Sequence, residues 1–441
     1  MTISVPSGEE GRLSAQASMQ FLSAHRCIRA EGVAERIRLP VDADGQGDAG
    51  FQRAVAEALQ HARNRGVVKP IVVGAIPFDL SQPVYLTIPQ RYEMSTRETL
   101  AALDALDAQL TPSRPPARMP ALLSAHSVPE AARFKQAVQQ VVANFQFSDI
   151  RKAVLSRMLE LELAAPVDAA QIFARLMAQN SSGYHFRLPL ADGAELVGAS
   201  PELLVRTEGG RLYSNPLAGS AKRQGNAELD FQVSNALLQS GKDGYEHSLV
   251  IQDIERVLAP LCRTLDVPPQ PALLSTAAMW HLSTRIEGEL ADPAMTALQL
   301  ACRLHPTPAV CGYPTRLARK LIELVEPFER GMFSGMVGWC DGEGNGEWAV
   351  TIRCGRIQGK RIQLFAGAGI VADSCPESEW AETQAKLQTM LNAVGVALPA
   401  GTGNTAAAAN TAANTAAGPA AAQDGKAGAN AVQTQRSEEL A

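Results

Sequence analysis

The stretch Phe333-Ser334-Gly335-Met336-Val337-Gly338-Trp339-Cys340, followed by Glu347-Trp348-Ala349-Val350-Thr351-Ile352-Arg353-Cys354 and then Arg361-Ile362-Gln363-Leu364-Phe365, decides the fold class. These runs are rich in β-branched and aromatic residues and are separated by glycine-containing turns, which predicts three strands joined as a meander. The connection Asp341-Gly342-Glu343-Gly344-Asn345-Gly346 reads as a hairpin turn. Its glycine spacing is wrong for a dinucleotide-binding loop, and a strand follows where a helix is needed. An EF-hand loop would require a bidentate glutamate where Ile352 stands. Upstream, residues 203–207 and 211–214 read as a hairpin about Glu208-Gly209-Gly210. Residues 131–147 read as a helix with Phe134, Ala137, Val138, Val141 and Val142 on one side. Helices flanking antiparallel strands imply an α+β arrangement rather than a wound βαβ fold.

The chain has 441 residues, 46% of them hydrophobic, and a net charge of −5. That is enough for one large or two ordinary domains with a globular core, and the charge argues against a nucleic-acid-binding surface. No apolar run approaches the roughly 18 residues that span a bilayer. The first residues carry Glu9 and Glu10 and show no signal-peptide pattern, so a cytoplasmic protein without membrane attachment is expected. Seven cysteines are scattered without a CxxC pair or zinc spacing. They are expected to be buried, reduced thiols, with Cys311 as core filler rather than a nucleophile. Pro112, Pro115, Pro116 and Pro120 mark a connection between an N-terminal part of the fold, residues 1–124, and a core over residues 125–397. From Gly401 onward the composition falls to Ala, Asn, Thr and Gly, with Asn404-Thr405-Ala406-Ala407 echoed at Asn410 and Asn414. Residues 398–441 are therefore expected to form a disordered tail, having little to bury against the entropy of ordering.

Two acidic pairs carry chemical interest. Asp243/Glu246 and Glu379/Glu382 are each spaced i, i+3, which places both carboxylates of a pair on one helix face. Leu249, Val250, Ile254, Val257, Leu258 and Leu261 mark the buried stripe after the first pair. Trp380, Leu387, Leu391 and Val394 mark the stripe around the second, interrupted by Gln384, while Glu379, Glu382, Lys386 and Met390 run alongside. Carboxylates at the edge of a buried face are costly unless compensated, and four from two facing helices suit a hard divalent cation such as Mg2+. Spacing alone favours solvated helix surfaces with a Glu382–Lys386 ion pair.

The company these pairs keep is more specific. In order along the chain stand Ile150-Arg151-Lys152-Ala153-Val154, Gly198-Ala199-Ser200-Pro201-Glu202, Asn215-Pro216-Leu217-Ala218-Gly219-Ser220 and Lys242-Asp243-Gly244-Tyr245-Glu246-His247. Trp280-His281-Leu282-Ser283-Thr284, His305-Pro306-Thr307-Pro308-Ala309-Val310-Cys311-Gly312, Val350-Thr351-Ile352-Arg353-Cys354, Ala366-Gly367-Ala368-Gly369-Ile370 and Glu379-Trp380-Ala381-Glu382-Thr383 follow. As a set over residues 125–395 they closely resemble the chorismate-utilising enzymes, and most of all the isochorismate synthase branch.

The resemblance implies the chorismate-binding α+β fold, with large antiparallel sheets packed together and helices on the outside. It implies chorismate as substrate and Mg2+ as cofactor, ligated by Glu246 and Glu382 directly and by Asp243 and Glu379 through water. It carries the base that activates water to Lys152 and the acid for the departing hydroxyl to Glu202. Gly219, Ser220, His281, Ala309, Val310, Arg353, Gly367, Gly369 and Lys386 would line the substrate site. Arg353 is expected on a strand, pointing away from the face of Trp348, Val350, Ile352 and Cys354. Gly367 and Gly369 fit either a tight turn or a close approach of an anion to backbone N–H groups.

Anthranilate synthases carry Gln at the position of Lys152, and aminodeoxychorismate synthases carry a nucleophilic Lys at the position of Ala218, so both aminating reactions are disfavoured. No glutamine amidotransferase subunit is then expected, nor a nucleic-acid or membrane partner, and the chain is expected to be monomeric. The alternatives are a salicylate synthase, which also eliminates pyruvate, and a catalytically silent chorismate-binding regulator. Ala309-Val310 resembles the Ala-Leu pair of isochorismate synthases, whose product feeds siderophore, salicylate or menaquinone biosynthesis.

Overall fold

Two large antiparallel sheets and a small third one carry the fold of the computed structural model, which describes residues 19–42, 47–100, 119–180 and 182–397. Towards one edge of the ten-stranded sheet lie two long neighbours, Lys152–Leu163 and Arg361–Ile370, paired along their length with Gly367 opposite Ser156 and Gly369 opposite Val154. The nine-stranded sheet contains the Leu203–Glu208/Arg211–Asn215 hairpin and the Met336–Asp341/Gly346–Val350 hairpin. The two sheets meet face to face through Phe21, Ile28, Val73, Phe186, Val337, Trp339, Ala349 and Phe365. This is the expected consequence of alternating apolar positions on two inner faces.

Helices cover the outer faces. Ala49–Asn64, Gly241–Leu258 and Ala297–Leu304 pack on the nine-stranded sheet through Phe51, Val55, Val250, Ile254, Leu258 and Leu300. Ala169–Gln179 and Pro376–Val394 pack on the ten-stranded sheet through Ile172, Phe173, Leu387 and Leu391. Ala131–Asn144 ends three residues before the expected limit and, with Thr315–Val325, covers the sheet near Ala153 and Leu155. N-terminal strands are woven into both sheets: Met19–Leu22 pairs with Tyr184–Pro189, and Ile71–Ile76 with Met336–Asp341. The prolines at 112, 115 and 116 and the tail expected at residues 398–441 lie outside the described residues.

The meander expected over residues 333–365 does not form. Met336–Asp341 and Gly346–Val350 pair in the nine-stranded sheet, whereas Cys354–Gln358 and Arg361–Ile370 pair in the ten-stranded one. The chain changes sheet at Thr351, Ile352 and Arg353. There Ile352 N–H donates back to the Val350 carbonyl at 2.9 Å, and Arg353 has φ +50°. Arg353 is therefore in a kink and not on a strand. The expected single face is broken as well, since Trp348 and Val350 belong to the helix-covered core and Cys354 to the core between the sheets.

All seven cysteines are free thiols, five of them buried, but Cys375 is exposed and Cys262 half-buried, so the expectation of uniform burial fails at these two. No helix among the described residues is long and apolar enough to cross a membrane.

Candidate active site

Where the chain changes sheet, a cavity opens, bounded by the two long strands, the small sheet and the Pro376–Val394 helix. Glu202, Gly219, Ser220, Glu246, His281, Ala309, Val310, Arg353, Gly367, Gly369 and Lys386 all line it. Lys152 stands just behind that wall. Asp243, Glu379 and Glu382 are not part of the wall.

Lys152 begins its long strand, where Tyr313 pairs with it, and its side chain is fully buried. Its Nζ lies 3.0 Å from Glu246 Oε1, without the direction of a hydrogen bond. Gly369 makes this contact possible. A Cβ there would collide with Glu246 Oε1 and crowd Lys152 Cε. Gly367 and Gly369 lie within the strand Arg361–Ile370, so neither serves as a turn.

Glu202 precedes the Leu203–Glu208 strand and is 3% exposed. Burial drives its carboxyl up to about 7, against the Leu217 N–H that it accepts and the charges of Lys152, Lys386 and Arg353. It is a carboxylic acid that holds a proton near neutrality while facing the cavity.

Arg353 is buried, which lowers its pKa to about 10 and leaves it charged at neutral pH. It donates to the Lys386 carbonyl at 3.3 Å and approaches His281 Nε2 at 3.4 Å. Because a guanidinium can only donate, His281 Nε2 accepts, and its Nδ1–H donates to Ser220 Oγ at 2.8 Å. Burial, with Arg353 and Lys386 adding to it, keeps His281 neutral. Lys386 donates to the Gly367 carbonyl at 2.8 Å and pairs with Glu382. Two cations, a neutral histidine and a hydroxyl thus converge on one side of the cavity, an arrangement that grips carboxylates.

The acidic pairs sit on Gly241–Leu258, capped by the Ser240 hydroxyl at Asp243 N–H, and on Pro376–Val394, and both helices rest against the strand Leu217–Lys222. Each carboxylate has a neighbour of its own: Glu246 has Lys152, Glu379 has Lys242 at 2.6 Å, Glu382 has Lys386, and Asp243 accepts from Ser240 Oγ. Among the described residues, no three such groups close on a single point. They nonetheless feel one another. Burial followed by repulsion from Glu382 raises Glu379, and burial with Glu246 and Glu382 raises Asp243. Burial opposes the charge of Lys242, but Glu379, Glu246 and Glu382 together hold it well above the ordinary lysine value. Glu379 Oε2 is buried without a hydrogen bond, although Ser374 is near enough to favour its charged form. Four oxygen donors, one of them unsatisfied, fit a hard divalent cation by their chemistry.

Several supporting residues escaped the sequence reading. Phe333, Ser334, Ile352 and Phe365 line the cavity, and Phe333 stacks on Phe365 with ring centroids 5.1 Å apart. The buried Arg330–Glu326 pair ties two wall residues together, Arg330 donating to the carbonyls of Val154 and Val310 at 2.7 Å each. Their i, i+4 spacing was the available signal. His247, kept neutral by burial, donates from Nδ1 to the Ala218 carbonyl and accepts at Nε2 from Thr284.

Residues 80–395 match the family described as "Chorismate binding enzyme". The isochorismate synthase EntC of Escherichia coli (strain K12) is 43% identical over 378 residues, covering 85% of this chain and 94% of that protein. The isochorismate synthase DhbC of Bacillus subtilis (strain 168) is 42% identical over 381 residues, covering 85% and 92%. Among solved structures, DhbC from Bacillus anthracis, described as a "putative 2,3-dihydroxybenzoate-specific isochorismate synthase", matches with a TM-score of 0.78 and 39% identity, over 87% of this chain and 97% of that one.

Proposed function

The chain belongs to the chorismate binding enzyme family, and within it we propose that this protein is an isochorismate synthase, with Lys152 as base, Glu202 as acid and Mg2+ as cofactor. The observation that carries the assignment of roles is Glu202. It is a buried carboxylic acid with a pKa near 7, in the same cavity as a carboxylate-gripping cluster and within the electrostatic reach of the buried Lys152. Conversion of chorismate to isochorismate adds water at ring C2 and expels the C4 hydroxyl as the double bonds shift. In its neutral form, Lys152 takes a proton from the entering water. Glu202 gives its proton to the departing hydroxyl, so one water enters, one leaves, and the substrate is isomerised.

Arg353 and Lys386 bind a carboxylate of the dianion, and His281 with Ser220 orients it. Phe333, Phe365, Ala309 and Val310 pack against the ring and keep bulk water from it. Glu246 and Glu382, with Asp243 and Glu379 behind them, would hold the metal. Bound there, a divalent cation reverses the sign of the acidic patch for an anionic substrate and polarises a carboxylate as a Lewis acid. Ala218 offers only a methyl group to the cavity, which supports water rather than an enzyme amine as the nucleophile. The enzyme acts as a cytoplasmic monomer with no glutamine amidotransferase subunit.

Exhaustive treatment with EDTA should abolish conversion of chorismate, and added Mg2+ should restore it. Glu246→Gln and Glu382→Gln should each be close to inactive while remaining folded by circular dichroism. Full turnover after chelation would remove the metal from this account.

A further inference from the structure

Nearly every polar side chain on the cavity wall is engaged by the protein itself. Glu202 accepts from Leu217, Ser220 is bonded to His281, Glu246 is paired with Lys152, Arg353 donates to the Lys386 carbonyl, and Lys386 donates to that of Gly367. Ser334 is the exception. It lines the cavity and is 1% exposed, and among the described residues its hydroxyl has no hydrogen-bond partner.

The backbone makes this residue more unusual. Gly335 N–H donates to the Met332 carbonyl at 3.1 Å, closing a turn in which Ser334 is the third residue, with φ +61°. That position of a turn favours glycine or asparagine, and other side chains are strained there. The turn cannot relax easily. Ser334 N–H donates to the Thr351 carbonyl at 2.8 Å, and Thr351 N–H donates to that of Gly335 at 2.9 Å, tying it to the segment that sets Arg353. A side chain has therefore been kept where the backbone would be better served by none, and its hydroxyl is left unpaired at the cavity.

The surroundings indicate what it meets. Arg353 and Lys386 account for carboxylate binding, whereas Ser334 is set among Phe333, Phe365 and Val310, against which a carboxylate would be poorly solvated. A neutral hydroxyl in an apolar wall suits an uncharged oxygen on a ring packed against that wall. We propose that Ser334 is a substrate-contacting residue, its hydroxyl hydrogen-bonding an uncharged ring oxygen of the bound substrate. This rests on the isochorismate synthase reading.

Ser334→Gly and Ser334→Ala separate the contact from the fold. Both remove the hydroxyl, but glycine relieves the backbone strain and alanine does not. Both should lower kcat/KM by about 10-fold or more, the scale for losing a hydrogen bond to substrate. Ser334→Gly should melt at or above the wild-type temperature and Ser334→Ala at or below it. If either variant keeps wild-type kcat/KM while the wild type converts chorismate to isochorismate, the proposal alone is overturned. It is overturned equally if Ser334→Gly loses activity only together with a lowered melting temperature, since the role is then structural. A wild-type protein that leaves chorismate unchanged overturns the underlying reading, and the proposal with it.

Discussion

At Glu202, burial and three surrounding cations act in opposite directions, and burial prevails, moving the carboxyl from 4.5 to about 7. The folded protein thus binds this proton more tightly than the unfolded chain. The associated stability is fully present below about pH 4.5 and is lost as pH rises through about 7. Glu202→Gln never has to ionise. At pH 8 it should be more stable than the wild type by up to about 3 kcal/mol, while its kcat falls by about 10²–10⁴-fold. The stability gain should vanish near pH 4.5, which paired urea melts at the two pH values would show. In the wild type, kcat/KM should decline as pH rises through about 7, because the acid is then lost. Without its motif, Glu202 reads as a surface residue after a proline and Lys152 as a strand-edge lysine. What reverses both readings is burial against residues far away in sequence, such as Glu246 and Gly369 beside Lys152. Ser334 was illegible for a local reason, since Phe333-Ser334-Gly335 reads as readily as the start of a strand as it does a turn.

Among the elements, hairpins and helices were legible and the partnership of strands was not. The Leu203–Glu208/Arg211–Asn215 hairpin carries its glycines at positive φ, as the residue types imply, and Ala131–Asn144 follows its apolar periodicity. The crossover at Thr351, Ile352 and Arg353 leaves no such mark, because cores on both sides of the kink accept apolar residues and the alternation appears unbroken. The functional consequence is specific: the kink places the Arg353 guanidinium in the cavity at the cost of a left-handed backbone. Arg353→Ala and Arg353→Gly should both reduce kcat/KM by about 10–100-fold, the scale of a lost charge-assisted hydrogen bond. The glycine variant should melt at a higher temperature than the alanine variant, since only glycine is at ease at φ +50°. Equal melting temperatures would show that the kink is not strained. The acidic helices were read correctly as helices with carboxylates along one edge, but Lys242 as the partner of Glu379 was not foreseen, as 137 residues separate them.

On the scale of the molecule, two sheets packed face to face with helices outside leave the cavity where one sheet gives way to the other, so residues from widely separated segments meet there. The Ala/Asn/Thr-rich residues beyond 400 supply little apolar surface for such a core. A chain ended at residue 400 should keep both the turnover and the melting temperature of the full chain. The central claim is that the reaction stops at isochorismate. Exchanging one hydroxyl position for another leaves little driving force, so chorismate with Mg2+ should settle to a mixture of chorismate and isochorismate. Elimination of pyruvate would form an aromatic ring and run to completion. A lactate dehydrogenase-coupled assay during turnover of chorismate measures the difference directly. The account predicts no pyruvate above background while isochorismate accumulates to a constant ratio, and stoichiometric pyruvate with salicylate fluorescence near neutral pH would contradict it.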